Sequence, residues 1–330
     1  MNTRITRAAL AVVVALGAPL PHGSSVQAQS YPSRPITMIV PYAAGGPTDT
    51  IARVLAEGMR ISLGQSIIIE NVVGAGGTIG VGRVARANPD GYTLVIGNWG
   101  SFVATGAIHS LQYDLLKDFE PISLLPSEPL LVVSKPDIPS KDLQEFITWL
   151  KAHPDKATAA TSGIGGPSHV AGVLFQQLTG TRFQLVPYRG AGPAMQDLVA
   201  GQIDLMITGP SMALPQASAG KIRIYAVAAK NRSPLAPQIP SVDEAGLPNF
   251  HISVWSGIWG PKGTPKEIVE KLTTAASVAM NNAAAREHFA KLGLEVPSPE
   301  HRSPKALGAL HRAEIEKWWP IIKAAGIKAQ

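Results

Sequence analysis

Five short glycine-rich turns, each between a β-type run and a helical pattern, are the features of this 330-residue sequence best placed to do chemistry. They are Ala44-Gly45-Gly46-Pro47, Gly74-Ala75-Gly76-Gly77, Gly163-Ile164-Gly165-Gly166-Pro167, Gly190-Ala191-Gly192-Pro193 and Gly209-Pro210-Ser211. The first four N–H groups of a helix have no partner inside it, and the helix dipole adds partial positive charge there. With no Cβ in the way, an anion can approach that backbone closely, so such turns can hold a carboxylate without Lys or Arg. In an open α/β sheet these turns also lie at the C-terminal ends of strands, where ligands bind. One such turn would be ordinary loop punctuation. Five of them, on both sides of the cleft that the two-domain order read below predicts, point to an anion site.

Other chemistries find less support. Gly74 to Gly80 follows a strand and opens a helix, but its third glycine comes one residue late for a dinucleotide fingerprint. The next strand ends in Ile96-Gly97-Asn98, without the acid that would bind a ribose. An exported α/β enzyme holding a dinucleotide at 74–80 is therefore the alternative reading. Gly166-Pro167-Ser168-His169 and Gly209-Pro210-Ser211-Met212 both break the nucleophile-elbow pattern. The eight histidines show neither H-x-H nor H-E-x-x-H spacing, so neither a metal nor a cofactor is expected. Ser168 reads as a helix cap and Asp49 as an acid favourable to a helix N-terminus. Asp204 begins a strand, where tying loops together is its first role and touching a ligand its second. Trp255 and Trp259 are read as hinge packing, Trp318 and Trp319 as core.

The elements that must position these turns follow a repeating order. Ile36–Val40 reads as a buried strand before the first turn, and Ile51, Val54, Leu55 and Met59 follow at helical spacing. Residues 66–73 and 92–96 give two more strands. From Pro121 to Pro136 the pattern becomes extended and proline-punctuated, as if the chain crossed into a second domain. A helix over 142–153 follows, then strand–turn–helix units beginning near 158, 183 and 203, and a strand over 222–228. Residues 231–265 are again rich in Pro and Gly and read as the return crossing. Helices over 266–292 and 304–325 complete the chain. Strands alternating with helices predict mainly parallel sheets with helices on both faces.

Composition sets the outer limits. Arg4 and Arg7 precede a short apolar run from Ala8 to Leu20, and small residues follow up to Val26-Gln27-Ala28, which together read as an export signal cut near Ala28. That run is too short to cross a bilayer, where about 20 residues are needed. Removing residues 1–28 lowers Lys plus Arg from 29 to 27 against 23 acids, a balance of +4. The charge is scattered, with no basic stripe, so nucleic acid is not an expected partner. With no cysteine, an exported chain must draw its stability from packing.

The motifs in order resemble one family. Tyr31-Pro32-Ser33-Arg34-Pro35-Ile36, Val40-Pro41-Tyr42, and Ala44-Gly45-Gly46 with Asp49, Ala52 and Arg53 match the opening of the tripartite tricarboxylate transporter receptors, or Bug-type solute-binding proteins. So do Glu70-Asn71, Pro89-Asp90-Gly91-Tyr92, Asp118-Phe119, Ser162-Gly163 with His169, Val186-Pro187-Tyr188-Arg189-Gly190 and Gly201-Gln202-Ile203-Asp204. Val72-Val73 departs from the Arg-Pro usual in relatives. The resemblance implies a two-lobe type II periplasmic fold of the Venus flytrap kind, with two crossings at the hinge. Lobe one would span 31–125 and 250–330, and lobe two 126–249. It implies a monomeric periplasmic receptor that passes a small organic carboxylate to an integral membrane permease. Carried onto this chain, the ligand-binding residues would be Tyr42, Ala44, Gly45, Thr48, Asp49, Gly76 and Asn98 from lobe one. Lobe two would add Ser162, Gly163, Ser168, His169, Tyr188, Arg189 and Asp204. The lobe-one turns could offer only N–H groups to a carboxylate, whereas Arg189 either forms a paired hydrogen bond to a second one or is a solvated residue on the cleft rim.

Overall fold

Alternation of apolar strands with amphipathic helices builds two sheets of the same design. The computed structural model describes residues 31–328 apart from Arg189. The expected export signal therefore lies outside the described residues. The first sheet takes β1 (Ile36–Val40), β2 (Ile67–Asn71), β3 (Thr93–Asn98) and β4 (Phe119–Pro129), with helices α1 (Pro47–Leu63), α2 (Thr78–Ala85) and α3 (Thr105–Ile108) between them. The chain then enters the second sheet through β5 (Leu131–Ser134) and α4 (Leu143–Ala152). It continues with β6 (Thr158–Thr161), α5 (Pro167–Thr179), β7 (Gln184–Pro187) and α6 (Ala191–Val199), then β8 (Leu205–Thr208), α7 (Pro210–Ser218) and β9 (Arg223–Val227). It returns to the first sheet as β10 (Ser253–Pro261) and ends in α8 (Lys266–Asn281), α9 (Ala283–Lys291) and α10 (Pro304–Ala324).

The strand orders are β2-β1-β3-β10-β4 and β7-β6-β8-β5-β9. Each sheet has two parallel pairings, β1 with β2 and β3 in one and β6 with β7 and β8 in the other. Each also has two antiparallel pairings, made by β10 with β3 and β4 and by β5 with β8 and β9. The expected sheets are found, each refined to a mixed sheet by one reversed strand. The cause is topological: four strands in each sheet point one way, and the reversed strand is the one that receives the chain from the other sheet. That strand lies inside the sheet, so it turns two pairings antiparallel at once.

The two crossings are joined to each other. Only Leu130 separates β4 from β5. Its N–H donates to the Ile252 carbonyl at 3.1 Å, and its own carbonyl accepts from Ala228 N–H at 2.7 Å. Ile252 N–H in turn donates to Ala228 at 3.0 Å. These bonds satisfy backbone groups that have left one ladder and not yet joined the next.

Period-2 alternation along β10 divides its side chains between two environments. Val254 and Ser256 face a cavity between the sheets. Trp255 and Trp259 face α10, where Trp255 Nε1 donates to Glu314 at 3.2 Å. Trp259 is fully buried and stacks on Phe102 with ring centres 3.7 Å apart. The helix expected over 266–292 is two helices, because the Asn282 side chain accepts from the amides of Ala284 and Ala285 and starts a new one.

Candidate functional site

Four helices begin at one cavity of about 670 Å³ between the sheets. Its wall includes Pro47 and Thr48 of α1, Pro167 and Ser168 of α5, Ala191 and Gly192 of α6, and Ser211 and Met212 of α7. Proline occupies the first helical position of α1, α5 and α7, where its missing N–H would have had no partner anyway. The remaining first-turn amides point toward the cavity end of each helix. No Lys, Arg or His is among the described lining residues. Positive potential there comes from backbone and helix dipoles.

The first turn is held from behind by Asp49. Its carboxylate accepts from Gly45 N–H at 2.8 Å, from Arg53 at 2.8 and 3.0 Å, and from Asn71 Nδ2 at 2.9 Å. The Gly45 amide is thus already used, and other amides of this turn, those of Ala44 and Thr48 among them, remain for a guest. Asp49 is buried and absent from the wall, so it shapes the turn and does not line the cavity. The Arg53 hydrogen bonds, helped by those of Gly45 and Asn71, hold its pKa down at about 2. A carboxyl whose pKa falls on folding stabilises the fold above its unfolded value and loses that contribution as pH drops toward the folded value. Asp49→Asn should therefore be less stable than the wild type at pH 7 by about 1–3 kcal/mol. Urea melts should show that gap closing between roughly pH 4 and pH 2. A gap that stays constant across this range would overturn the assignment.

Beside that turn runs a side-chain relay. Tyr42 Oη donates to Asn98 Oδ1 at 2.7 Å, and Asn98 Nδ2 donates to Thr48 Oγ1 at 3.1 Å. All three residues line the cavity. Thr48, having accepted, keeps its own proton to donate. Burial pushes the Tyr42 phenol up to about 12, so it stays neutral at ordinary pH. Across the cavity, Ser162 N–H donates to Ser168 Oγ at 2.8 Å, and the two hydroxyls lie 2.9 Å apart. Two hydroxyls that share one hydrogen bond leave one proton free for a guest.

The other expected residues divide into supports and outliers. Gly163 (φ +137°), His169 and Tyr188 are not among the residues that line the cavity. His169 Nδ1 accepts from Gly165 N–H at 2.9 Å, and burial holds its pKa below the usual histidine value. Tyr188 Oη donates to Asp197 Oδ2 at 2.6 Å, fastening its turn to α6. Asp204 stands at the opposite end of the second sheet from the cavity. It precedes β8, whose Met206, Ile207 and Thr208 line the wall, and it binds Lys135 at 2.8 Å and Thr158 N–H at 2.8 Å. It is a clasp at the strand N-termini. Gly76 is likewise not in the wall: a Cβ there would meet Thr105 and His109. The glycines of 74–80 serve close packing, since a Cβ on Gly80 would lie 2.8 Å from the Val72 carbonyl. Arg189 lies outside the described residues.

Sequence reasoning missed Glu128, Met206, Thr208, Val254, Ser256 and Leu294 in the wall. The 209–211 turn was visible as a glycine turn, and β10 alternation could have found Val254 and Ser256. Nothing local marks Glu128, an acid between Pro126 and Pro129 in an extended run.

A family described as the tripartite tricarboxylate transporter family receptor matches residues 51–327. A UPF0065 protein from the TAR-I ttuE-ttuC' intergenic region of Agrobacterium vitis is 37% identical over 99% of this chain and 92% of its own. MatC of Rhodopseudomonas palustris, solved with bound malate, is 41% identical with a TM-score of 0.77, covering 88% of this chain and all of MatC. The periplasmic binding protein BugD is 38% identical with a TM-score of 0.76, covering 91% of this chain and all of BugD. With two matching mixed sheets flanked by helices and a family match over most of its length, this chain belongs to the tripartite tricarboxylate transporter receptors and has their two-lobe periplasmic-binding-protein fold.

Proposed function

We propose that this protein is a monomeric periplasmic receptor that closes on a small organic carboxylate in the inter-sheet cavity and delivers it to a membrane permease. Export would follow from a signal cut near Ala28. The lobes would be 31–125 with 250–330, and 126–249, turning about the paired crossings at Leu130 and Ile252. The observation that carries the reading is the meeting of four helix N-termini, one from the first sheet and three from the second, at a cavity with no described cationic side chain. A carboxylate shared between the lobes would favour their closure. Malate in the related MatC fits the same chemistry.

A thermal-shift screen of the mature protein tests it. Some small carboxylate, with malate among those screened, should raise the melting temperature, and NAD should not. A ligand at 100 times its Kd adds about 2.7 kcal/mol. The same ligand should shrink the radius of gyration in solution scattering. Stabilisation by a dinucleotide alone, or turnover of any acid, would defeat the proposal.

A further inference from the structure

The described cavity wall holds one carboxyl, Glu128, and no cation to offset it. Glu128 stands on β4 opposite Val254 of β10 and is partly buried. Its carboxyl packs flat against Gly209, the residue before α7. A Cβ built on Gly209 would come within 2.3 Å of one oxygen and 2.9 Å of the other. Glycine at that position is what leaves room for the acid. No described residue donates a hydrogen bond to it, whereas Thr48 is bonded to Asn98 and Ser162 to Ser168 in the same wall. An unpartnered carboxylate in a mostly apolar cavity is costly, and burial alone pushes Glu128 up to about 7.

The cavity thus has two poles. Helix N-termini supply the positive one, and Glu128 supplies the negative one. A ligand that is only anionic meets repulsion from Glu128 unless that carboxyl takes up a proton. A ligand that also carries an ammonium group completes both poles. We propose that Glu128 determines specificity, and that the ligand it selects is an amino-substituted carboxylate whose ammonium group pairs with Glu128 while its carboxylate lies at the helix N-termini. This rests on the receptor reading given above.

The two ways of satisfying Glu128 have opposite pH signatures. An ammonium ligand needs the ionised acid, so its affinity rises with pH through the neighbourhood of 7 and then levels. A purely anionic ligand needs the protonated acid, so its affinity falls over the same interval. Three other titratable groups near the cavity are shifted away from that window. Tyr42 stays neutral up to about 12, Asp49 ionises at about 2, and buried His169 titrates below its ordinary range. Glu295, next to Leu294 in the wall, accepts from Ser233 and does not itself line the cavity. Glu314 and His311 of α10 bond Trp255 and the Phe102 carbonyl on the other face of the first sheet.

Calorimetry on the mature protein between pH 6 and 8 decides the matter, using acids that differ only by one ammonium group. Suitable pairs are aspartate with succinate, glutamate with glutarate, and leucine with 4-methylpentanoate. In at least one pair the amino acid should bind ten-fold or more tighter than its partner, and tighter still as pH rises. Glu128→Gln should remove that preference and its pH slope while leaving the ammonium-free acid bound as well or better. Glu128→Asp, which keeps the charge, should retain a reduced preference. Tighter binding of the ammonium-free acids with affinity falling as pH rises would overturn the proposal, as would a preference that survives in Glu128→Gln. If neither these acids nor malate bind at all, the carboxylate-receptor reading itself fails.

Discussion

Trp259→Ala is expected to lower the unfolding free energy by about 3–5 kcal/mol, the cost of deleting a large aromatic side chain from a packed core. Trp259 is fully buried in β10, lies flat on Phe102, and is edged by His311 at 5.7 Å and Trp255 at 6.1 Å between ring centres. Its removal would leave a void bordered by the sheet and α10, elements that cannot both move inward without breaking the β10 ladder. The indole Nε1 is buried without a partner among the described residues, so part of what the ring contributes is already offset. Trp259→Phe, which keeps the stack and deletes that N–H, should therefore cost less than about 1.5 kcal/mol. Val278 is 52% exposed on α8, and its alanine variant should fall within about 0.5 kcal/mol of the wild type. Urea melts of the three variants would show this order. A loss below about 1 kcal/mol for Trp259→Ala would mean that the α10 face of the first sheet is not packed as described.

Gly192→Phe is expected to weaken carboxylate binding by on the order of 100-fold while leaving the fold intact, an effect of about 2.7 kcal/mol. Gly192 is the second residue of α6 and lines the cavity, and a Cβ built there meets nothing within 4 Å. A side chain at this position therefore starts in open space beside the cavity and not against the protein. Glycine is a poor helix residue, so replacing it should hold stability level or raise it by a few tenths of a kcal/mol. Gly180→Ala supplies the contrast: that site is also open, but its φ of +65° belongs to the left-handed helix cap, so alanine there should cost about 1 kcal/mol of stability and no affinity. Calorimetry paired with thermal melting separates the two effects. Unchanged affinity in Gly192→Phe would place the ligand outside this cavity.

What the sequence determined by itself was set by periodicity and turn chemistry. The apolar run Ile36–Val40 before a glycine turn and an amphipathic helix could only be a buried strand entering a strand–turn–helix unit, and repetition of that unit gave the α/β class. Helix starts were equally legible, because Pro47, Pro167 and Pro210 after glycine mark first helical positions from local rules. From those starts came the expectation of anion-binding turns, and four of the five do open on the cavity. The exception, 74–77, could not be recognised locally. Whether a glycine frees an amide for a guest or lets a helix pack against Pro41 and Val72 depends on what stands opposite, which is a tertiary fact. The same holds for Asp49 and Asp204, two acids near turns and strand ends. One ties the turn beneath the cavity and the other clasps the far end of the second sheet. Strand direction was also out of reach of local pattern, because β10 and β5 are reversed only by where the chain re-enters each sheet. Glu128 is the clearest case. Its sequence neighbours say only that it is extended, while its isolation in the wall comes from Gly209, 81 positions away along the chain, whose missing side chain leaves the carboxyl its place.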